Sequence, residues 1–64
     1  MYYDIKKVTW KIKYGGVTTT GSYNGNVGGF TRPQSEYEAQ KIAETWLLKK
    51  FPGAEIIDLK VEIK

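Results

Sequence analysis

Residues 6–17 read Lys6-Lys7-Val8-Thr9-Trp10-Lys11-Ile12-Lys13-Tyr14-Gly15-Gly16-Val17. Their side chains alternate. Val8, Trp10, Ile12 and Tyr14 fall on one side, and Lys7, Thr9, Lys11 and Lys13 on the other, the period-two pattern of a strand with one buried and one wet face. Gly15-Gly16 closes the stretch with two residues that both tolerate positive φ, which predicts a tight hairpin. Val17 to Tyr23 is then the returning strand, and its three consecutive threonines favour extended backbone. Upstream, Tyr3 and Ile5 are out of phase with Val8 and Trp10. A bulge near Lys6-Lys7, or a late strand start, restores the phase.

Downstream of the hairpin, residues 24–29 (NGNVGG) are turn-rich and predict a mobile loop or a short irregular strand leading to Phe30. A helix follows. Ser35-Glu36-Tyr37-Glu38 has the spacing of a capping box, with Ser35 accepting from the Glu38 N–H and Glu38 answering Ser35. Ala39, Ile42, Ala43, Trp46, Leu47 and Phe51 recur at three- and four-residue spacing as one apolar stripe. Acids in the first turn and Lys49-Lys50 in the last suit the helix dipole, and Pro52-Gly53 ends the element. In the last segment Ile57, Leu59, Val61 and Ile63 are expected inward, and Asp58, Lys60, Glu62 and Lys64 outward.

Together these elements predict one α+β domain over residues 1–64, with topology β-β-α-β. If the helix covers one face, the last strand pairs beside the first. The result is an antiparallel sheet of three strands in the order 2-1-3, with the charged sides of the strands left open.

Composition removes several chemistries. The 64 residues include neither Cys nor His. Zinc sites built from those residues, nucleophile–histidine pairs and a histidine general base are excluded. Of the seven acids, three sit on the helix exterior or in its first turn and Asp58 and Glu62 alternate outward on a strand, and none has the apolar setting that tunes a carboxylic acid toward neutrality. The expectation is a non-enzyme without cofactor or metal. No apolar run of signal or membrane-span length occurs, so a cytoplasmic protein without membrane contact is expected. A small domain with no disulfide has a core problem, which a homodimer pairing edge strands would relieve.

The net charge of +3 is unevenly placed. Residues 1–32 hold Lys6, Lys7, Lys11, Lys13 and Arg32 against Asp4, while residues 33–64 hold five lysines against six acids. The first half therefore carries +4 and the second −1. Lys7, Lys11 and Lys13 project from one face, at about 7 Å for alternate residues, beside hydroxyls of Thr18, Thr20 or Ser22 and an exposed tyrosine. With Arg32 in the loop before the helix, these residues form a candidate site for phosphate contacts to DNA or RNA. One arginine is too few for much base reading, so weak sequence preference and strong salt dependence are expected.

The other candidate site is the Gly- and Tyr-bearing loop, with Tyr23, Asn24, Asn26 and Phe30 as residues that would touch a partner protein. Gly25-Asn26-Val27-Gly28 matches a G-x-x-G loop, but a Thr-rich strand and not a helix precedes it. Asn24 and Asn26 lack a neighbouring carboxylate to hold calcium. Trp10 and Trp46 both fall on apolar stripes and are expected to pack on each other.

Trp10-Lys11-Ile12-Lys13-Tyr14, Ser35 to Ala39 (SEYEA) and Phe51-Pro52-Gly53-Ala54-Glu55-Ile56 resemble small strand–strand–helix–strand proteins encoded by phages and mobile elements. Gly29-Phe30-Thr31, Glu38-Ala39 and Trp46-Leu47 are similar to the sheet-to-helix junction of arm-type integrase N-terminal domains. In that family a three-stranded sheet enters the DNA major groove with the helix behind it. The resemblance implies DNA contact by Lys7, Lys11 and Lys13. The two functional expectations are therefore a nucleic-acid-binding accessory protein and a protein-interaction module that modulates a host enzyme of defence or replication.

Overall fold

The structure is a computed structural model, and it describes residues 2–27 and 32–64. Four elements follow one another: β1 (Ile5–Tyr14), β2 (Val17–Asn24), α1 (Glu36–Lys50) and β3 (Glu55–Ile63). The strands form an antiparallel sheet in the order β2-β1-β3. The hairpin turn is the expected one. Gly15 and Gly16 have φ of 61° and 81°, and Tyr14 faces Val17 across the closing pair.

Two bulges set which residues reach the core. Against β3 the register shifts between Ile5 and Lys7, which leaves Lys6 as the extra residue. Ile5 thereby returns to the inner face and is buried with Val8, Trp10 and Ile12. The second shift lies between Lys11 and Ile12, which pair with Asp58 and Ile56. Ile57 is the extra residue there and stands 50% exposed, while Ile56 packs against the core. This corrects the expected strict alternation of the last strand: the bulge reverses the phase below Asp58. Tyr14 is likewise less buried than its place on the inner stripe implied. It is 43% exposed, with its ring edge-on to Phe51 at 5.6 Å between centroids.

The Ser35 Oγ accepts from the Glu38 N–H at 3.1 Å and starts α1, as the capping spacing predicts. At the other end the Phe51 N–H still bonds to the Leu47 carbonyl, and Gly53 turns the chain with φ of 83°. The buried stripe is Ala39, Ala43 and Leu47, flanked by the half-buried Ile42, Trp46 and Phe51. Two alanines on the contact face let the helix lie close to the sheet. It comes nearest to β3, where Gln40 Nε2 donates to the Leu59 carbonyl at 3.0 Å.

β2 is treated differently. Every residue of it is exposed except the half-exposed Gly21. Gly21 sits opposite Trp10, and a Cβ there would lie 2.5 Å from the indole Cζ2. The glycine is therefore a seat for the ring. From that seat Trp10 meets Trp46 edge-on at 5.4 Å, and Tyr23 lies 5.4 Å from Trp46 on the other side. The two tryptophans do pack on each other, and the Lys50 ammonium sits 5.2 Å from the Trp46 ring and 6.0 Å from that of Trp10.

Candidate nucleic-acid interface on the open sheet face

Lys7, Thr9, Lys11 and Lys13 are all exposed on the face opposite α1, where alternation places them. The hairpin register sets a β2 residue beside each: Asn24 by Lys7, Ser22 by Thr9, Thr20 by Lys11 and Thr18 by Lys13. These neighbours are uncharged hydrogen-bonding side chains, all exposed. On the other flank the β3 register sets Glu62 by Lys7, Lys60 by Thr9, Asp58 by Lys11 and Glu55 by Lys13.

The open face is therefore three parallel strips: hydroxyl and amide on β2, lysine on β1, mostly acid on β3. Adjacent strips are one strand spacing apart, about 4.8 Å. Each of the three candidate lysines has a carboxylate as its β3 neighbour. The outward placement of Asp58 and Glu62 was legible beforehand, but their alignment on Lys11 and Lys7 depends on the bulges. With four lysines against three acids on its three strands, the face is less basic than the first half of the chain alone suggests. The tyrosines at its margin lie elsewhere. Tyr14 and Tyr23 both turn to the helix side, against Phe51 and Trp46. Neither of these two exposed rings therefore stands beside the lysines.

Arg32 lies away from these strips, in an ion pair with Asp4 (Nε to Oδ1, 3.3 Å) whose side chains are 65% and 41% exposed. The same Asp4 oxygen accepts from Asn26 Nδ2 at 3.2 Å, and Asn26 Oδ1 accepts from the Ile5 N–H at 2.8 Å. The Asp4 carbonyl accepts from the Lys64 N–H, and the Tyr3 N–H donates to the Pro33 carbonyl. Asp4 and Asn26 thus tie the turn after β2 to the start of β1, and Val27 is buried in the core behind them. Sequence reading placed Asn26 among partner-contacting residues. Its amide is half-buried and engaged on both of its ends within the fold. Periodicity gives no sign of this tie, because the contacts span more than twenty residues.

Of the other residues expected to meet a partner protein, Tyr23 is 44% exposed beside Trp46, and Asn24 ends β2 on the open face. Phe30 lies outside the described residues, as do Gly28, Gly29 and Thr31. Among the described residues no three acids gather as a metal-binding group, and no helix is long and apolar enough to cross a membrane. In comparisons with known proteins the chain matches no protein-family model, no curated protein and no solved structure.

Proposed function

We propose that this chain is a small, non-enzymatic binding protein that holds nucleic-acid backbone weakly through Lys7, Lys11 and Lys13. The observation that carries this reading is the lysine row bordered, in cross-strand register, by Thr18, Thr20, Ser22 and Asn24. Ammonium groups neutralise phosphate, and the neighbouring hydroxyls and amide donate hydrogen bonds to its oxygens. The acids on β3 repel phosphate, so the backbone lies over the β1–β2 half of the face. Arg32 is spent on Asp4 and the strips hold no arginine, so base reading is slight.

Three lysines neutralise three phosphates. The log–log salt slope is then about −2.7 on duplex DNA and about −2.1 on a single strand. Fluorescence anisotropy with labelled DNA and RNA, duplex and single-stranded, over a range of salt measures both slope and preference. Replacing Lys7, Lys11 and Lys13 together by Gln is expected to abolish binding, and Arg32→Gln to change it little. Wild-type protein that binds nothing at low salt, or a triple variant that binds as well as wild type, overturns the reading. A single nuclease-resistant protein partner recovered equally at low and high salt also overturns it, in favour of a protein-interaction module.

A further inference from the structure

The two free edges of the sheet are built on opposite rules. β3 carries Glu55, Asp58, Lys60 and Glu62, is broken by the bulge at Ile57, and has its Leu59 carbonyl taken up by Gln40. Charge, bulge and cover are the devices that keep an edge from pairing. β2, Val17-Thr18-Thr19-Thr20-Gly21-Ser22-Tyr23-Asn24, has neither charge nor bulge, and among the described residues nothing bonds to its outer backbone groups. It holds no charge and no proline, and its register with β1 runs unbroken from Val17 to Asn24. The two-residue turn makes Tyr14 and Val17 the closing hydrogen-bonded pair. The backbone groups of Val17, Thr19, Gly21 and Tyr23 therefore face β1, and the Gly25 N–H donating to the Lys6 carbonyl continues that phase. The groups of Thr18, Thr20, Ser22 and Asn24 face outward from the sheet.

We infer that this edge pairs with the same edge of a second copy, antiparallel about a two-fold axis at Thr20, to make a continuous six-stranded sheet. Charge selects the edge, and the self-matching sequence of β2 about Thr20 selects a second copy as its occupant. Two copies at +3 repel unless neutral surfaces meet, and β2 is a neutral edge while β3 is not. The lysine rows of the two copies stand three strand spacings apart, about 14 Å. That exceeds the Debye length of about 8 Å at physiological ionic strength.

Side chains fix the register. With Thr20 opposite Thr20, Thr18 meets Ser22 of the second copy, which sets hydroxyl against hydroxyl on the open face. On the helix side Val17 meets Tyr23 of the second copy. These two are 63% and 44% exposed in the single chain, and the pairing covers both, twice over. The contact is isologous, as a two-fold requires.

Sedimentation equilibrium of the intact chain tests this without any nucleic acid, so its outcome is independent of the phosphate reading. The expected result is a reversible dimer. Thr20→Glu places the new carboxylate beside Lys11 within its own sheet, so the fold is retained, as circular dichroism will confirm. Across the two-fold it sets two glutamates opposite each other, and association is expected to weaken by about tenfold or more. Lys60→Glu, on the other edge of the sheet, is expected to leave association unchanged. A wild-type chain that is monomeric at the highest concentration reached overturns the inference. So does a dimer indifferent to Thr20→Glu but lost on Lys60→Glu, or a monomer whose β2 amides gain protection only on adding an extended peptide.

Discussion

β2 and β3 flank the same central strand, yet they solve the edge problem in opposite ways. β3 lies nearest the helix, with Ile56, Leu59, Val61 and Ile63 packed against the core and charge on its other side. β2 contributes one glycine seat and one tyrosine to the packing and is otherwise uncovered by the described residues. Among the described residues one helix covers β1 and β3 and leaves β2 exposed. The strand left bare must be either defended by charge or left neutral and available, and here it is neutral.

If the helix is what secures the β1–β3 side, removing its buried anchor should cost most. Leu47→Ala, at a fully buried position facing the sheet, is expected to lower stability by about 2–5 kcal/mol in urea unfolding. A loss under about 1 kcal/mol, the size of an ordinary surface change, would break the comparison. The bare strand has one position that should behave like core. Gly21→Ala drives a methyl against the Trp10 ring and is expected to cost about 1–3 kcal/mol, with altered near-ultraviolet circular dichroism from the displaced indole. An unchanged spectrum and midpoint would mean that the ring does not rest on Gly21. The smallest effect is at the guard of the other edge. Gln40→Ala removes the bond to the Leu59 carbonyl and is expected to cost about 0.5–1.5 kcal/mol. No measurable change would mean that charge and bulge alone protect β3.

Much of the fold was legible because its signals are local. Alternation in β1, the Gly15-Gly16 turn, the Ser35 cap and the helical stripe each involve residues within a few positions of one another, and together they imply the strand order. What escaped depends on contacts across the sheet. Whether Ile56 or Ile57 turns inward depends on a bulge whose place is set by the partner strand, since both residues are equally apolar. The same bulges align Glu62, Asp58 and Glu55 on Lys7, Lys11 and Lys13, so a row of lysines read as a basic face is in fact half of a charged ladder. Asn26 shows the limit from another side. In a Gly-rich stretch a polar residue reads as surface, yet here it satisfies the Ile5 N–H at the start of the central strand. The Gly21 seat does have a signal in the sequence: a glycine that the turn register sets opposite a tryptophan marks a ring lying across the backbone.

The aromatic contact between Trp10 and Trp46 has an optical consequence. The chain has two tryptophans, one on the first strand and one on the helix, and they meet edge-on with a lysine ammonium above. Trp10 gains its Gly21 seat when the hairpin closes, but neither indole meets the other until α1 docks. Intrinsic fluorescence therefore registers the arrival of α1 on β1 in addition to closure of the hairpin. Emission against time after dilution from denaturant follows the docking of distant segments, while far-ultraviolet dichroism follows the growth of the helix. The lag between those two signals is a built-in clock for how long the chain takes to bring its halves together.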